Sequence, residues 1–203
     1  MIETERLRLR NWREADRALF HTINSDPEVI TFFATRRTRD EADAMMDRCA
    51  ATIAQTGRGW FALAEKESDA PIGMCGLADA HLAPLFPAEM VEIGWRLARP
   101  SWGKGFVTEA AEALLRLGFT RFALPEIVSF AVPDNQRSLA VMRRLDFQRD
   151  ESRDFDHPRV PDSHAHLKRH LFHSLTAGRW AEQRPAATRG GLQIGTPSIP
   201  GAG

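Results

Sequence analysis

Residues 99–119 read RPSWGKGFVTEAAEALLRLGF, with glycines at 103 and 105 around Lys104 and then a long run whose apolar residues recur at helical spacing. A helix that begins directly after glycines leaves its first backbone N–H groups without intrahelical partners. Gly103 and Gly105 let the chain approach a ligand closely and take conformations that other residues avoid. The helix dipole adds partial positive charge at the same end. Such a turn binds phosphate, with Lys104 as an added charge and Thr108 as a cap or a hydroxyl partner. Glycines before a helix also serve as plain turns. The spacing matches neither G-x-x-x-x-G-K-[ST] nor G-x-G-x-x-G with an acidic residue about 20 positions on, so neither ATPase nor nicotinamide chemistry is indicated.

Strand candidates flank this stretch. EMVEIGWRLA (89–98) precedes it and EIVSFAV (126–132) follows it, which predicts a strand–helix–strand crossover. Upstream, GWFALAEK (59–66) and PIGMCGLADA (71–80) enclose the polar turn ESDA and read as an antiparallel hairpin. RLRLRNW (6–12) alternates apolar and polar residues as a half-buried strand does. Helices are expected over 39–55, with Thr38 as N-cap and Glu41 as its capping-box partner, over 108–122, and over NQRSLAVMRRL (135–145). READRALFHTIN should add another with Ala15, Ala18, Leu19 and Phe20 on one face, EVITFF (28–33) a short segment, and FQRD (147–150) with HLKRHLFHSL (166–175) the late strands. This order predicts a single mixed α/β domain over 1–180, and the Gly-, Pro- and Thr-rich residues 181–203 read as a disordered tail.

The 203 residues carry 27 Lys plus Arg and 27 Asp plus Glu, so no charge excess points to nucleic acid or an anionic membrane as a partner. Cys49 and Cys75 have no metal-ligand spacing and read as core thiols of a reducing compartment. The opening MIETERLRLRNW lacks the apolar run of a signal peptide, and no stretch approaches about 18 apolar residues, so a cytoplasmic location is expected. His157, His164, His166, His170 and His173 crowd together without zinc-enzyme spacing. They read as loop and strand residues, and no metal is expected. In DFDHP (154–158) the carboxylates either hold a cationic amine or, at Asp156, stabilise their own turn.

WGKGFVTEA (102–110), followed across one strand by VPDNQRSLAVMRRLDF (132–147), resembles the GNAT superfamily of N-acetyltransferases. The similarity is to its ribosomal-protein N-terminal acetyltransferase branch, where W-G-x-G-[YF]-A-T-E-A precedes N-x-x-S-x-x-V-M-x-[KR]-L-G-[FM]. It extends from ETERLRLR through EIGWRLA to the late segment 154–175. The resemblance implies a GNAT-like α/β (α+β) fold, a mixed and mostly antiparallel central sheet flanked by helices. It implies that Trp102 and the backbone of Gly103, Lys104, Gly105, Phe106, Val107 and Thr108 cradle the pyrophosphate of coenzyme A. Asn135 and Ser138 then lie along the pantetheine arm. Val107 stands where Gly or Ala is usual, and Asp146 where Gly is usual. Dimers are common in this branch, which leaves a homodimer open.

The implied reaction is acetyl transfer from acetyl-CoA to a primary amine, of a protein N terminus or a small molecule, by direct attack in a ternary complex. The ammonium, of pKa roughly 8 for an α-amine and about 10 for lysine, must lose a proton. The leaving thiolate must gain one, and an oxyanion needs donors. In many relatives a tyrosine is the acid, but this chain has none; Phe172 stands about where a related subgroup often has it. Ser138 is the expected proton donor, the backbone around Ile93 and Gly94 the expected oxyanion donor, and Glu92 the expected base. Glu89, Asp79 and His81 compete with Glu92, whose other reading is an edge charge or an ion pair with Arg96. Glu109 reads as a first-turn residue favoured by the helix dipole. The alternative function is a non-catalytic module of the same fold that binds acyl-CoA for sensing or interaction.

Overall fold

The computed structural model describes residues 1–183. Its strands are β1 (Ile2–Glu3), β2 (Leu7–Arg10), β3 (Gly59–Glu65), β4 (Pro71–Asp79), β5 (Val91–Leu97), β6 (Glu126–Ala131), β7 (Gln148–Arg149), β8 (Phe155–Asp156) and β9 (Arg169–Thr176). The helices are α1 (Arg17–Ser25), α2 (Arg39–Thr56), α3 (Phe106–Thr120), α4 (Gln136–Arg144) and α5 (Ala177–Gln183). One sheet runs β1-β2-β3-β4-β5-β6-β9-β7, with β8 added on β9. Its pairs are antiparallel except β5 with β6. That exception follows from the crossover through α3, since two parallel neighbours need a connection that returns across the sheet.

The period of two along β5 sorts its side chains onto opposite faces. Leu77 pairs with Ile93, and Leu77 and Ile127 lie beneath α3, where a methyl added to Gly118 would come within 2.6 Å of Ile127 Cδ1. Glu92, Gly94 and Arg96 alternate with these residues and take the other face, where Arg96 reaches Asn24 of α1. The chain thus places two charged side chains on the face shared with α1 and α2. A second, smaller core of Ala80, Leu82, Met90, Val128, Phe155 and Phe172 continues that face beyond β5.

Most expected elements are present, and the exceptions have local causes. The Thr38–Glu41 capping box starts α2, and Gly57 at φ 71° ends it. α1 begins only at Arg17; Ala15 and Ala18 are exposed, while Phe20 and Ile23 supply the buried face. EVITFF forms turns rather than a regular element, held by bonds such as Asp26 Oδ1 accepting from the Glu28 amide. The stretch 162–167 coils into a 3-10 turn, so the last long strand starts at Arg169. α5 extends to Gln183, past the expected boundary at 180, and residues 184–203 of the expected tail lie outside the described residues. Cys49 and Cys75 are both buried free thiols, with burial pushing them up to about 11 and about 12.

Candidate active site

β5 and β6 share a single registered pair, Glu92 with Val128, although β5 continues to Leu97 and β6 to Ala131. Past that pair the strands part, and their facing backbone groups leave the ladder. Ser129 Oγ fills part of the gap by donating to the Ile93 carbonyl at 3.0 Å. A residue's N–H and C=O point to the same edge of a strand, so Ile93 faces the gap. Gly94, in register with Gly76, faces β4. A gap between the carboxyl ends of parallel strands is a recurrent ligand position in α/β sheets.

The chain leaves β5 for the glycine turn. Gly103 and Gly105 both hold positive φ, 74° and 79°, and both are exposed. Gly105 is the N-cap of α3 and no side chain bonds the cap, so the first N–H groups of the helix remain available. A Cβ at Gly103 would meet nothing within 4 Å, which leaves open space over the turn. This open concavity of backbone donors fits a pyrophosphate. Thr108 lies in the first helical turn and is not its cap, and Val107 packs against the main core instead of over the turn. Trp102 is half-buried, its Nε1 donating to the Leu97 carbonyl at 2.8 Å, and Arg137 of α4 stacks on its ring at 4.2 Å.

The turn is anchored from the far end of the chain. Glu109 accepts from Thr4 Oγ1 at 2.5 Å, from the Arg6 amide at 2.8 Å and from Arg6 Nε at 2.7 Å. Arg6 also donates to the Lys104 carbonyl at 3.0 Å. Burial works to raise the Glu109 carboxyl, but these bonds prevail and hold it below its ordinary range. Reading Glu109 only against the helix dipole misses this clamp. The paired TER and TEA segments carried the signal, but nothing in either one shows that they meet.

On the opposite face, Glu92 is the perturbed carboxyl. Burial pushes it up to about 8, against a smaller downward pull from Arg159. It does not pair with Arg96. Its competitors are placed for other tasks: Asp79 binds Arg58 at 2.8 Å, and Glu89 and His81 are exposed. Beyond Glu92 lies an aromatic wall in which Phe130, Phe155, His157 and His170 pack with ring centroids 5.0–6.0 Å apart. Burial takes His157 down to about 4 and lowers His170 too, so both rings are neutral at neutral pH. Phe172 is fully buried in the same core. Asp154 is occupied by Arg149 and by the Phe172 amide at 2.8 Å, while Asp156 is exposed and lies 3.6 Å from Arg169.

Asn135 caps α4, its Oδ1 accepting from the Ser138 amide at 3.2 Å. Ser138 is half-buried in the first turn of that helix, and no hydrogen bond joins it to Glu92. Trp102 and Arg137 bring the glycine turn and α4 together, whereas Glu92 stands apart at the root of the gap. Asp146 adopts φ 65°, the left-handed conformation expected where the resemblance has Gly. Among the described residues no group of three or more His, Cys, Asp or Glu is placed to hold a metal ion, and no helix is long and apolar enough to cross a membrane.

A family model described as an acetyltransferase (GNAT) domain matches residues 6–148. The chain belongs to the GNAT acetyltransferases. The uncharacterized N-acetyltransferase p20 of Bacillus licheniformis is 33% identical over 155 residues, 73% of this chain and 83% of that protein. The FsC-acetyl coenzyme A-N(2)-transacetylase of Aspergillus fumigatus is 26% identical over 196 residues, 93% of this chain and 81% of its own. Among solved structures, a GNAT-family acetyltransferase from Bacillus anthracis superposes with TM-score 0.71 at 20% identity, covering 87% of this chain and 98% of its own. The GNAT fold and N-acetyltransferase class expected from the two linked motifs both hold.

Proposed function

We propose that this acetyltransferase moves the acetyl group of acetyl-CoA to a primary amine by direct attack in a ternary complex, with no covalent enzyme intermediate. The observation that carries the reading is that β5 parts from β6 past the buried Glu92 and then runs through the glycine turn into the uncapped start of α3. Acetyl-CoA, when bound, supplies the acetyl group as an activated thioester. The N–H groups from Gly103 to Thr108 hold its pyrophosphate, while Trp102 with Arg137 forms one side of the seat and Asn135 and Ser138 flank the arm.

Glu92 takes the proton of the incoming ammonium. Its value near 8 lies close to that of an α-amine, about 8, so the transfer is nearly balanced in energy. A backbone N–H on the gap-facing edge of β5, beyond the Glu92–Val128 pair, stabilises negative charge on the carbonyl oxygen, and Gly94 leaves room for the Trp60 ring that packs over this stretch of the strand. Ser138 Oγ holds the proton destined for the departing sulfur. The neutral aromatic wall around Phe130, His157 and His170 excludes water from the acceptor side.

The test is calorimetric titration with acetyl-CoA followed by a panel of primary amines, reading free thiol. Binding with amine-dependent thiol release is expected. Binding without release across peptides, amino acids and small amines would favour the non-catalytic module.

A further inference from the structure

The charges that face the acceptor side are unbalanced. Arg96 lies four residues beyond Glu92 on the same face of β5, with Gly94 between them. Its guanidinium is stacked on Phe33 at 4.0 Å and bonded to Asn24, but its Nε is buried without any hydrogen-bond partner. No carboxylate among the described residues pairs with it. Burial, reinforced by the neighbouring charge of Arg37, takes it down to about 10. Leaving a buried guanidinium donor unmade is expensive, so the guanidinium is held here without full compensation from the protein.

The neighbouring cations repeat the pattern. Arg37 and Arg36 follow in the connection between α1 and α2, and among the described residues neither has a carboxylate partner. A cavity of about 490 Å³ opens beside them, lined by Ser25, Asp26, Glu28, Arg36 and Arg99. Its acids are committed: Glu28 pairs with Arg99 at 2.6 Å, and Asp26 accepts from the Glu28 amide. Arg159 stands near Glu92 and has only the Ala80 carbonyl, at 3.5 Å. The face that would receive a substrate therefore presents several unpaired arginines and one carboxyl that is itself largely protonated near neutral pH.

We propose that the acceptor of this transferase carries an acidic group several bonds away from its amine, and that Arg96, assisted by Arg37, receives that group while the nitrogen faces Glu92. The inference rests on the transferase reading and names its substrate class. Four residues of strand separate the two Cα atoms by about 13 Å. The Trp60 ring packs over Gly94 between them, so the acceptor would run along that ring; the spacing suits an extended, peptide-like acceptor with a carboxylate two or three residues along, and it disfavours polyamines and aminoglycosides. A planar guanidinium held between Phe33 and Asn24 is pre-set to meet a carboxylate with directed N–H groups.

Full-length protein saturated with CoA is titrated by calorimetry with two N-acetylated tripeptide amides, Ala-Ala-Glu and Ala-Ala-Gln. The acidic product should bind at least about tenfold more tightly, a preference that falls to within about twofold in Arg96→Met and is partly lost in Arg37→Gln. Equal binding by the wild type, or a preference surviving both substitutions in folded protein, overturns the proposal. Thiol release with the unacetylated Ala-Ala-Glu amide is read in parallel. Preference without release would sustain the anion site and sink the transferase reading, and release without preference would do the reverse.

Discussion

In the proposed site, the stretch between Gly103 and Thr108 would offer a ligand its backbone, whereas the other side of the gap would offer side chains drawn from several distant segments. The first region needs only two residues of positive φ and an uncapped helix. The second needs Glu92 and Arg96 from β5, Phe33 and Arg37 from the α1–α2 connection, Phe130 from β6, and His157, Arg159 and His170 from around β8 and β9. A backbone site constrains sequence locally and binds a constant chemical group. A side-chain site is free to vary, and this freedom lets a shared acetyl-transfer scaffold serve different amines.

The contrast is broken most directly at Gly105. Gly105→Glu puts a side chain and a negative charge where phosphate would sit, on a residue at φ 79°, and should weaken coenzyme A binding at least ~100-fold. Calorimetry on a variant with an unchanged circular dichroism spectrum decides this; retained affinity would remove the turn from the site.

Glu92→Gln tests the other region. It should lower kcat by about 10²–10⁴ and leave the coenzyme A Kd in place. Wild-type kcat/KM should rise with pH through about 8 as the base ionises, and this limb should vanish in the variant. The same raised pKa has a stability sign. The folded state favours the protonated carboxyl, so its contribution is full below the ordinary value of 4.5 and is lost as pH rises through about 8. Melting curves should therefore show Glu92→Gln gaining on the wild type at pH 9 and matching it at pH 4.

Ser138→Ala should reduce kcat more than cofactor affinity if its hydroxyl holds the leaving-group proton. Equal losses in both would make it a binding residue alone.

Arg6→Ala sharpens the comparison from a distance. Removing the clamp on Glu109 should weaken coenzyme A about three- to tenfold with little change in kcat at saturation, since it loosens the turn without touching the acceptor face. The smallest effect belongs to Asp146→Gly, which relieves a left-handed residue at φ 65° and should add about 0.5–1 kcal/mol of stability in denaturant melts, with activity unchanged.

How much could be read in advance follows the same division. The glycine turn, α3, α4 with its Asn135 cap, and the crossover between β5 and β6 were legible because each depends on neighbours in sequence. Glu92 was the expected base through the family resemblance, with Glu89, Asp79 and His81 as competitors that spacing alone does not remove. Its isolation emerges from Asp79 being taken by Arg58 and from the burial that the surrounding strands impose. In DFDHP the contacts of Asp154 with Arg149 and of Asp156 with Arg169 come from adjoining strands, partners that spacing cannot reveal. The boundary of α3 moved to Phe106 because Gly105, not Thr108, makes the cap. The role proposed for Arg96 had no sign in the sequence, since its buried, unbonded Nε is a property of packing alone.

The Glu109 clamp joins residues 4 and 6 to a turn about a hundred positions later. During synthesis the first strand must therefore wait, unsatisfied on that side, until α3 has emerged. Once the contact closes, the amino-terminal hairpin and the phosphate turn open and shut together. A bound cofactor would protect the first amides of the chain from hydrogen exchange, and a bulky extension placed before Met1 would be felt first as a change in cofactor affinity.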